Sequence, residues 1–149
     1  MKCRIIFFDG NATKGKCPAG DEHFKLSNVQ FQLRFFGQKS PLFQDNWRWC
    51  QKCEGLFFHG NQSDGVCPAG GPHDSNNSGN YQILLASGLV LVKGKLFAAL
   101  GQFVWCAKCE GMWLHIPQGF LEELTSGGVC PGVGFHTFQG SGRYAIPSL

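Results

Sequence analysis

Trp47-Arg48-Trp49-Cys50-Gln51-Lys52-Cys53-Glu54-Gly55-Leu56-Phe57-Phe58, followed after eight residues by Cys67-Pro68-Ala69-Gly70-Gly71-Pro72-His73, is the stretch whose reading decides the fold. Trp47 and Trp49 flank Arg48 with the period of a strand that buries one face, and Leu56 to Phe58 supply a second short apolar run. Between them, two thiolates from a Cys-x-x-Cys turn can reach the same ion, and Gly55 lets the chain turn past it. The distant pair, Cys67 and His73, closes the loop. Three cysteines and one histidine form a closed tetrahedral set for zinc.

The same pattern recurs on both sides. Residues 7–23 align with 57–73 without a gap and share ten identities, among them Gly10/Gly60, Asn11/Asn61, Gly15/Gly65, the Cys-Pro-Ala-Gly string and the closing histidine. Trp105-Cys106-Ala107-Lys108-Cys109-Glu110-Gly111 repeats residues 49–55, and Cys130-Pro131 and His136 close that copy after seven extra residues. Ser-Gly-x-Tyr follows the last histidine at the same offset in both cases, at 78–81 and 141–144. The chain therefore reads as three units of about 50 residues, bounded at 1–40, 41–100 and 101–149, with a connecting hairpin at the end of the second. The expected fold is all-β, three tandem small zinc-stapled modules resembling zinc-ribbon repeats. Units this short bury too little apolar surface to stand alone, and the cysteines are the natural staple.

Disulfides are the competing reading of eight cysteines, but the units hold two, three and three, and a disulfide has no use for a histidine at constant offset. Iron or haem has one motivation, the Cys-Pro dipeptides at Cys17, Cys67 and Cys130; in a metal knuckle the proline restricts the backbone just after the ligand. The metal candidates are Cys50, Cys53, Cys67 and His73 in the second unit, Cys106, Cys109, Cys130 and His136 in the third, and only Cys3, Cys17 and His23 in the first.

The first unit is incomplete in the sequence given. Cys3 aligns with Cys53, so the counterpart of Cys50, and the tryptophan-bearing strand before it, fall ahead of residue 1. Three explanations stay open at this point: a late start or processed terminus, completion of the set by the N-terminal amine or by another subunit that also donates the strand, and an open position as in catalytic zinc sites. For the last, the local bases are Asp9, Asp21 and Glu22.

Between these landmarks the expectations are less constrained. Val29, Phe31, Leu33 and Phe35 alternate with polar residues, which predicts a strand with one buried face. Residues 89–92 and 96–100 around Lys93-Gly94-Lys95 predict a hairpin, with a helical turn as the alternative for 96–100, and residues 120–124 resemble a helix. His59 and His115 stand six residues after the second cysteine of their units, where the first unit has Asp9, and read as loop polar residues. Trp47, Trp49, Trp105 and Trp113 are either core around a staple or stacking platforms for a ligand. Asn11, Asn61 and Asn76 begin glycosylation triplets and are otherwise turn formers.

Composition bounds the function. Charged residues are 15% of the chain, glycine counts 21 and aromatics are 13%, which fits a small folded β protein and neither a long helix nor disorder. The net charge of +3 includes no basic cluster, so no nucleic-acid partner is expected; ionising eight thiols and adding three dications brings it to +1. No apolar run reaches the length of a membrane span. The N-terminus does not read as a signal peptide; an extracellular or cell-surface setting is slightly favoured without being fixed.

The strings at 47–58 and 67–73 resemble the tandem W-x-W-C-x-K-C-x-G-L-x-F … C-P-A-G-G-x-H repeats of microbial proteins and, more distantly, zinc-ribbon knuckles. The resemblance covers most of the chain and implies a zinc-stapled β module without implying an activity. The leading expectation is thus a non-enzymatic structural, self-associating protein that assembles into oligomers or fibres by strand exchange. A carbohydrate- or protein-binding module using exposed aromatics is the second, and a hydrolase at the three-ligand first site is the third.

Overall fold

The computed structural model describes residues 3–25, 30–85, 90–92, 95–97, 102–115 and 128–146, and among these there is no helix. Nine short strands form: β1 (Arg34–Phe35), β2 (Phe43–Trp49), β3 (Leu56–Phe58), β4 (Tyr81–Leu85), β5 (Val90–Val92), β6 (Lys95–Phe97), β7 (Gln102–Trp105), β8 (Met112–His115) and β9 (Arg143–Ala145). Every pairing is antiparallel, and the main sheet runs β3-β2-β4-β9-β7-β8 with β1 added beside β4. The fold is all-β, as the alternation around Trp47 and the absence of a helical period require.

In both complete units the strand leading into the Cys-x-x-Cys is central. β2 lies between β3 and β4, and β7 lies between β8 and β9. β2 carries a bulge between Gln44 and Trp47. Asn46 occupies it with a φ of 66°, a left-handed backbone that asparagine tolerates, and its amide donates to Asn80 Oδ1 at 2.9 Å. The bulge turns Trp47 into the main core with Leu56, Ile83, Phe103, Met112, Tyr144 and Ile146. Two smaller apolar clusters form around the cysteines of the second and third units.

The sheet ends nearly meet, and the backbone contacts that close it follow a cycle. The Phe8 amide donates to the Glu54 carbonyl (2.8 Å), the Phe58 amide to the Glu110 carbonyl (2.9 Å) and the Leu114 amide to the Arg4 carbonyl (2.9 Å). Each donor stands five residues after the second cysteine of its unit, or after Cys3, and each acceptor one residue after it. Bridges Phe7↔Gly55, Phe57↔Gly111 and Ile5↔Trp113 follow the same order. The first unit thus leans on the second, the second on the third and the third on the first, so no unit completes its hydrogen bonding without the next. Glycines make this approach possible. Gly15, Gly65 and Gly128 all have positive φ, and a Cβ on them would run into the carbonyls of Cys53, Cys109 and Cys3.

Several expectations are corrected or located. The strand expected from Val29 to Phe35 reduces to β1, and its face is not buried: Phe31 and Phe35 are exposed, Phe31 meeting the core edge-on at Phe103, while Leu33 packs on the core partly buried. The hairpin expected after the second unit forms as β5 and β6, with Val90 opposite Phe97. Residues 98–100, the helical segment at 120–124, and Val29 lie outside the described residues. No helix of the described residues is long and apolar enough to cross a membrane.

Candidate metal centres

The structure brings together three groups of buried side chains that could hold a metal ion: Cys50, Cys53, Cys67 and His73; Cys106, Cys109, Cys130 and His136; and Cys3, Cys17 and His23. Each is assembled in the same way from two turns. The first turn sends the chain from the central strand through Cys-x-x-Cys, held by the Cys50 amide on the Gly55 carbonyl and the Glu54 amide on the Cys50 carbonyl, with the same pair at Cys106, Gly111 and Glu110. The left-handed residue of this turn is not the glycine expected from the sequence but the one before it, Glu54 (φ 63°) and Glu110 (φ 61°), with Arg4 (φ 58°) in the first unit. Gly55 and Gly111 serve differently: a Cβ there would press on Cys53 Sγ or Cys109 Sγ at 3.3 Å.

The second turn is the Cys-Pro knuckle. The carbonyls of Cys17 and Cys67 accept from the amides of Gly20 and Gly70, and the amides of Cys17, Cys67 and Cys130 donate to the carbonyls of Asp21, Gly71 and Gly134. Two successive left-handed residues make the bend, Gly20-Asp21, Gly70-Gly71 and Val133-Gly134. Lys52 and Lys108, the lysines inside Cys-x-Lys-Cys, clamp it by donating to the carbonyls of Gly70 (2.6 Å) and Val133 (2.7 Å). The three Cys-Pro turns converge on one shallow cavity of about 380 Å³.

In the complete groups Cys50 Sγ lies 3.9 Å from Cys67 Sγ, and Cys106 Sγ lies 3.8 Å from Cys130 Sγ. Cys53 Sγ to His73 Nδ1 and Cys109 Sγ to His136 Nδ1 are each 3.5 Å, and Cys3 Sγ to His23 Nδ1 is 3.3 Å. A disulfide needs sulfurs at about 2.05 Å, and all eight cysteines are free. The disulfide reading is therefore not the arrangement found.

The histidines are oriented for ligation. His23 Nε2 donates to the Cys53 carbonyl and His73 Nε2 to the Cys109 carbonyl, both at 3.0 Å, which leaves Nδ1 bare and facing the sulfurs. His136 Nε2, at the equivalent place, has no hydrogen-bond partner among the described residues. Each ring also stacks on the aromatic residue four positions after Cys3, Cys53 or Cys109 of its own unit: His23 on Phe7, His73 on Phe57 and His136 on Trp113. Backbone amides of Gly55, Ala69, Asp74 and Gly132 point at Cys53, Cys67, Cys50 and Cys130 sulfurs within 3.3–3.4 Å, an arrangement that favours thiolates. The charge is unevenly shared. Hydrogen bonds from Cys53 and Cys67 hold Cys50 far below the usual thiol range, while hydrogen bonds with Cys50 and Cys67, and then burial, push Cys53 far above it. Cys106 and Cys109 divide in the same sense.

The tryptophans separate into two roles. Trp47 and Trp113 are 0% and 1% exposed, so both are core and neither can stack on a ligand, which corrects the platform reading for them. Trp49 and Trp105 are half-buried, and their indole N–H groups donate to the carboxylates of Glu54 (2.5 Å) and Glu110 (2.6 Å). Asn11 and Asn61 donate to those same carboxylates from the preceding unit. This Trp-Glu-Asn network joins units through a buried acid that sequence reading passed over. Its signal was present, since all three residue types recur in register. His59 pairs with Asp64 at 2.6 Å, and Asp9, at the equivalent position, pairs with Lys14 and Lys25.

A comparison with protein families finds no match to this chain, and comparisons with curated proteins and with solved structures find none either.

Proposed function

We propose that the chain is a non-enzymatic structural protein of three zinc-stapled repeats that works through association, with zinc replacing the large apolar core that units of this size lack. The observation that carries the reading is the geometry of the two complete groups. Around an ion with Zn–S of about 2.3 Å and Zn–N of about 2.05 Å, a tetrahedron has sulfur–sulfur edges of about 3.8 Å and sulfur–nitrogen edges of about 3.5 to 3.6 Å. The edges present are 3.9, 3.8, 3.5 and 3.5 Å. Full burial of all eight ligands leaves no entry for substrate, as in closed structural sites. When bound, zinc would crosslink the two turns of each unit; Cys50, Cys53, Cys67 and His73 would hold one ion, Cys106, Cys109, Cys130 and His136 another, and Cys3, Cys17 and His23 a third.

Against a hydrolytic role at the first group, Asp9 is engaged by two lysines, and Glu54, the carboxylate that acts on His23, by Trp49 and Asn11. For association, Phe24, Phe35, Leu42, Phe135 and Phe138 stand more than half exposed on a protein with few charges. Elemental analysis of the purified protein is expected to return at least two zinc ions per chain, and a strong chelator to unfold it. A chain that keeps its fold and melting temperature with no metal sinks the proposal. Size-exclusion chromatography is expected to show oligomers, and a monomer at high concentration removes the association half of it.

A further inference from the structure

The imidazoles of the first two groups are each held by the next unit along the cycle. His23 Nε2 donates to the Cys53 carbonyl and His73 Nε2 to the Cys109 carbonyl, both at 3.0 Å. Cys53 and Cys109 themselves belong to groups that could hold a metal ion. One cysteine therefore faces two centres, its sulfur in the group of its own unit and its carbonyl on the histidine of the unit before. The stacked rings are tied to the same place. Phe7, against His23, bridges to Gly55, and Phe57, against His73, bridges to Gly111, each glycine two residues after that cysteine. A Cβ on Gly15 or Gly65 would run into the Cys53 or Cys109 carbonyl, so these carbonyls have little room to move.

The contact between the third and first units keeps the bridge but not the bond. Trp113, against His136, bridges to Ile5, two residues after Cys3. His136 is 6% exposed, yet its Nε2 has no hydrogen-bond partner among the described residues. The difference bears on metal affinity. An imidazole that ligates through Nδ1 carries its proton on Nε2, and an acceptor there fixes the ring and makes Nδ1 the better donor. Losing such a partner costs ~10–100-fold in affinity. The acceptor carbonyl is fixed in turn by its own residue's sulfur, because ion binding at a structural site is what folds the turn around it.

We infer that Cys109 is a positioning residue for His73, through which the centres of the second and third units take up and release their ions as a coupled pair. This inference rests on the metal-staple reading. An ion in the third centre holds the Cys109 turn, the turn holds the His73 ring, and the ring presents Nδ1 to the ion of the second centre. The coupling is reciprocal, so an ion in the second centre strengthens the third by the same factor. Cys53 stands in the same relation to His23, whereas among the described residues no such bond runs from His136 to the first unit. When metal is scarce, the chain is thereby stapled at both complete centres or at neither, and chains with one loose unit are rare.

The test loads the full chain with cobalt, in place of zinc, at one ion per chain and counts the ions on each molecule by native mass spectrometry. Chains with one ion are expected to be at most about half as frequent as independent sites would give, the effect of a roughly tenfold coupling. Gly65→Ala, which displaces the Cys109 carbonyl, should restore the independent frequency. Gly128→Ala, which strains the contact between the third and first units instead, should leave single-ion chains scarce. Thiolate-to-cobalt absorbance reports that both variants still form their centres. A second measurement does not depend on these variants: Cys130→Ser should weaken the second centre for cobalt at least about tenfold, and Cys67→Ser the third by the same factor. Independent filling of the unaltered chain, scarcity that survives Gly65→Ala or is abolished by Gly128→Ala, or a second centre unweakened by Cys130→Ser overturns the inference. If ions bind but fill independently, only this inference fails; if the chain binds none, the metal-staple reading fails with it.

Discussion

The first and second units share their turns, their stacked histidine and their glycine contacts, yet only the second is complete, and the consequence is electrostatic. At His23, burial dominates and holds the imidazole below its ordinary range. At His73 burial acts in the same direction, but hydrogen bonds and charge from Cys50 and Cys67 outweigh it and raise the group to about 9. Cys3, with one sulfur neighbour, is pushed up to about 12, first of all by burial. The third sulfur thus pairs a low thiolate at Cys50 with a raised His73, where in the first unit burial prevails. The scaffold of the site and its charge are separable, and the first unit has the scaffold.

The comparison is tested most severely by removing a knuckle ligand from each unit. Cys67→Ser is expected to cost on the order of 3 kcal/mol, about a quarter of the ~10–16 kcal/mol a structural zinc contributes, and to release one metal ion. Cys17→Ser should lower the melting temperature less, because its group brings together three ligands among the described residues and that of Cys67 four. Equal effects in calorimetry would mean that the first site is already complete. Next in size is the glycine contact. Gly65→Ala places a methyl group into the Cys109 carbonyl at a left-handed φ, so a loss of at least about 2 kcal/mol is expected from denaturant titration. Gly128→Ala, whose Cβ would meet the Cys3 carbonyl at 2.7 Å, should be milder than Gly65→Ala, and the reverse order would deny that the three contacts are equivalent.

Smaller effects follow from the inter-unit network and the knuckles. Glu110→Gln exchanges a carboxylate that accepts from Trp105 and Asn61 for an amide, and should cost about 1 to 2 kcal/mol. Val133→Gly should stabilise by about 1 kcal/mol, since a β-branched residue at φ 78° stands where the first and second units have Gly20 and Gly70. The smallest effect separates Tyr144 from its exposed counterpart Phe31. Burial, opposed by the hydrogen bond to Gln44, raises Tyr144 from 10 to about 12, so the unfolded chain loses that proton first. Stability should therefore fall as pH rises from 10 towards 12, and a Tyr144→Phe chain should lack that part of the decline.

Much of this was legible along the chain because the information is local. Cys50, Cys53, Cys67 and His73 could be grouped from spacing alone, since a metal knuckle is a short-range device and its offsets recur. The period around Trp47 marked β2 for the same reason. The strand expected at residues 29–35 went astray because alternation reports which face is apolar and says nothing about whether a neighbour exists to cover it. Glu54 and Glu110 were missed because an acid reads as solvated unless its donors are known, and those donors, Asn11 and Asn61, come from the preceding unit.

By itself the sequence determined that the chain has three like units and that each gathers thiols and an imidazole. Tertiary structure alone decided that the units close in a cycle, with Phe8, Phe58 and Leu114 each bonded to the next, and that an apolar cavity opens beside Cys3, Cys17 and His23. The reason is the range of the interactions: ligand spacing is written within about thirty residues, whereas hydrogen bonds between units join positions about fifty to 110 residues apart.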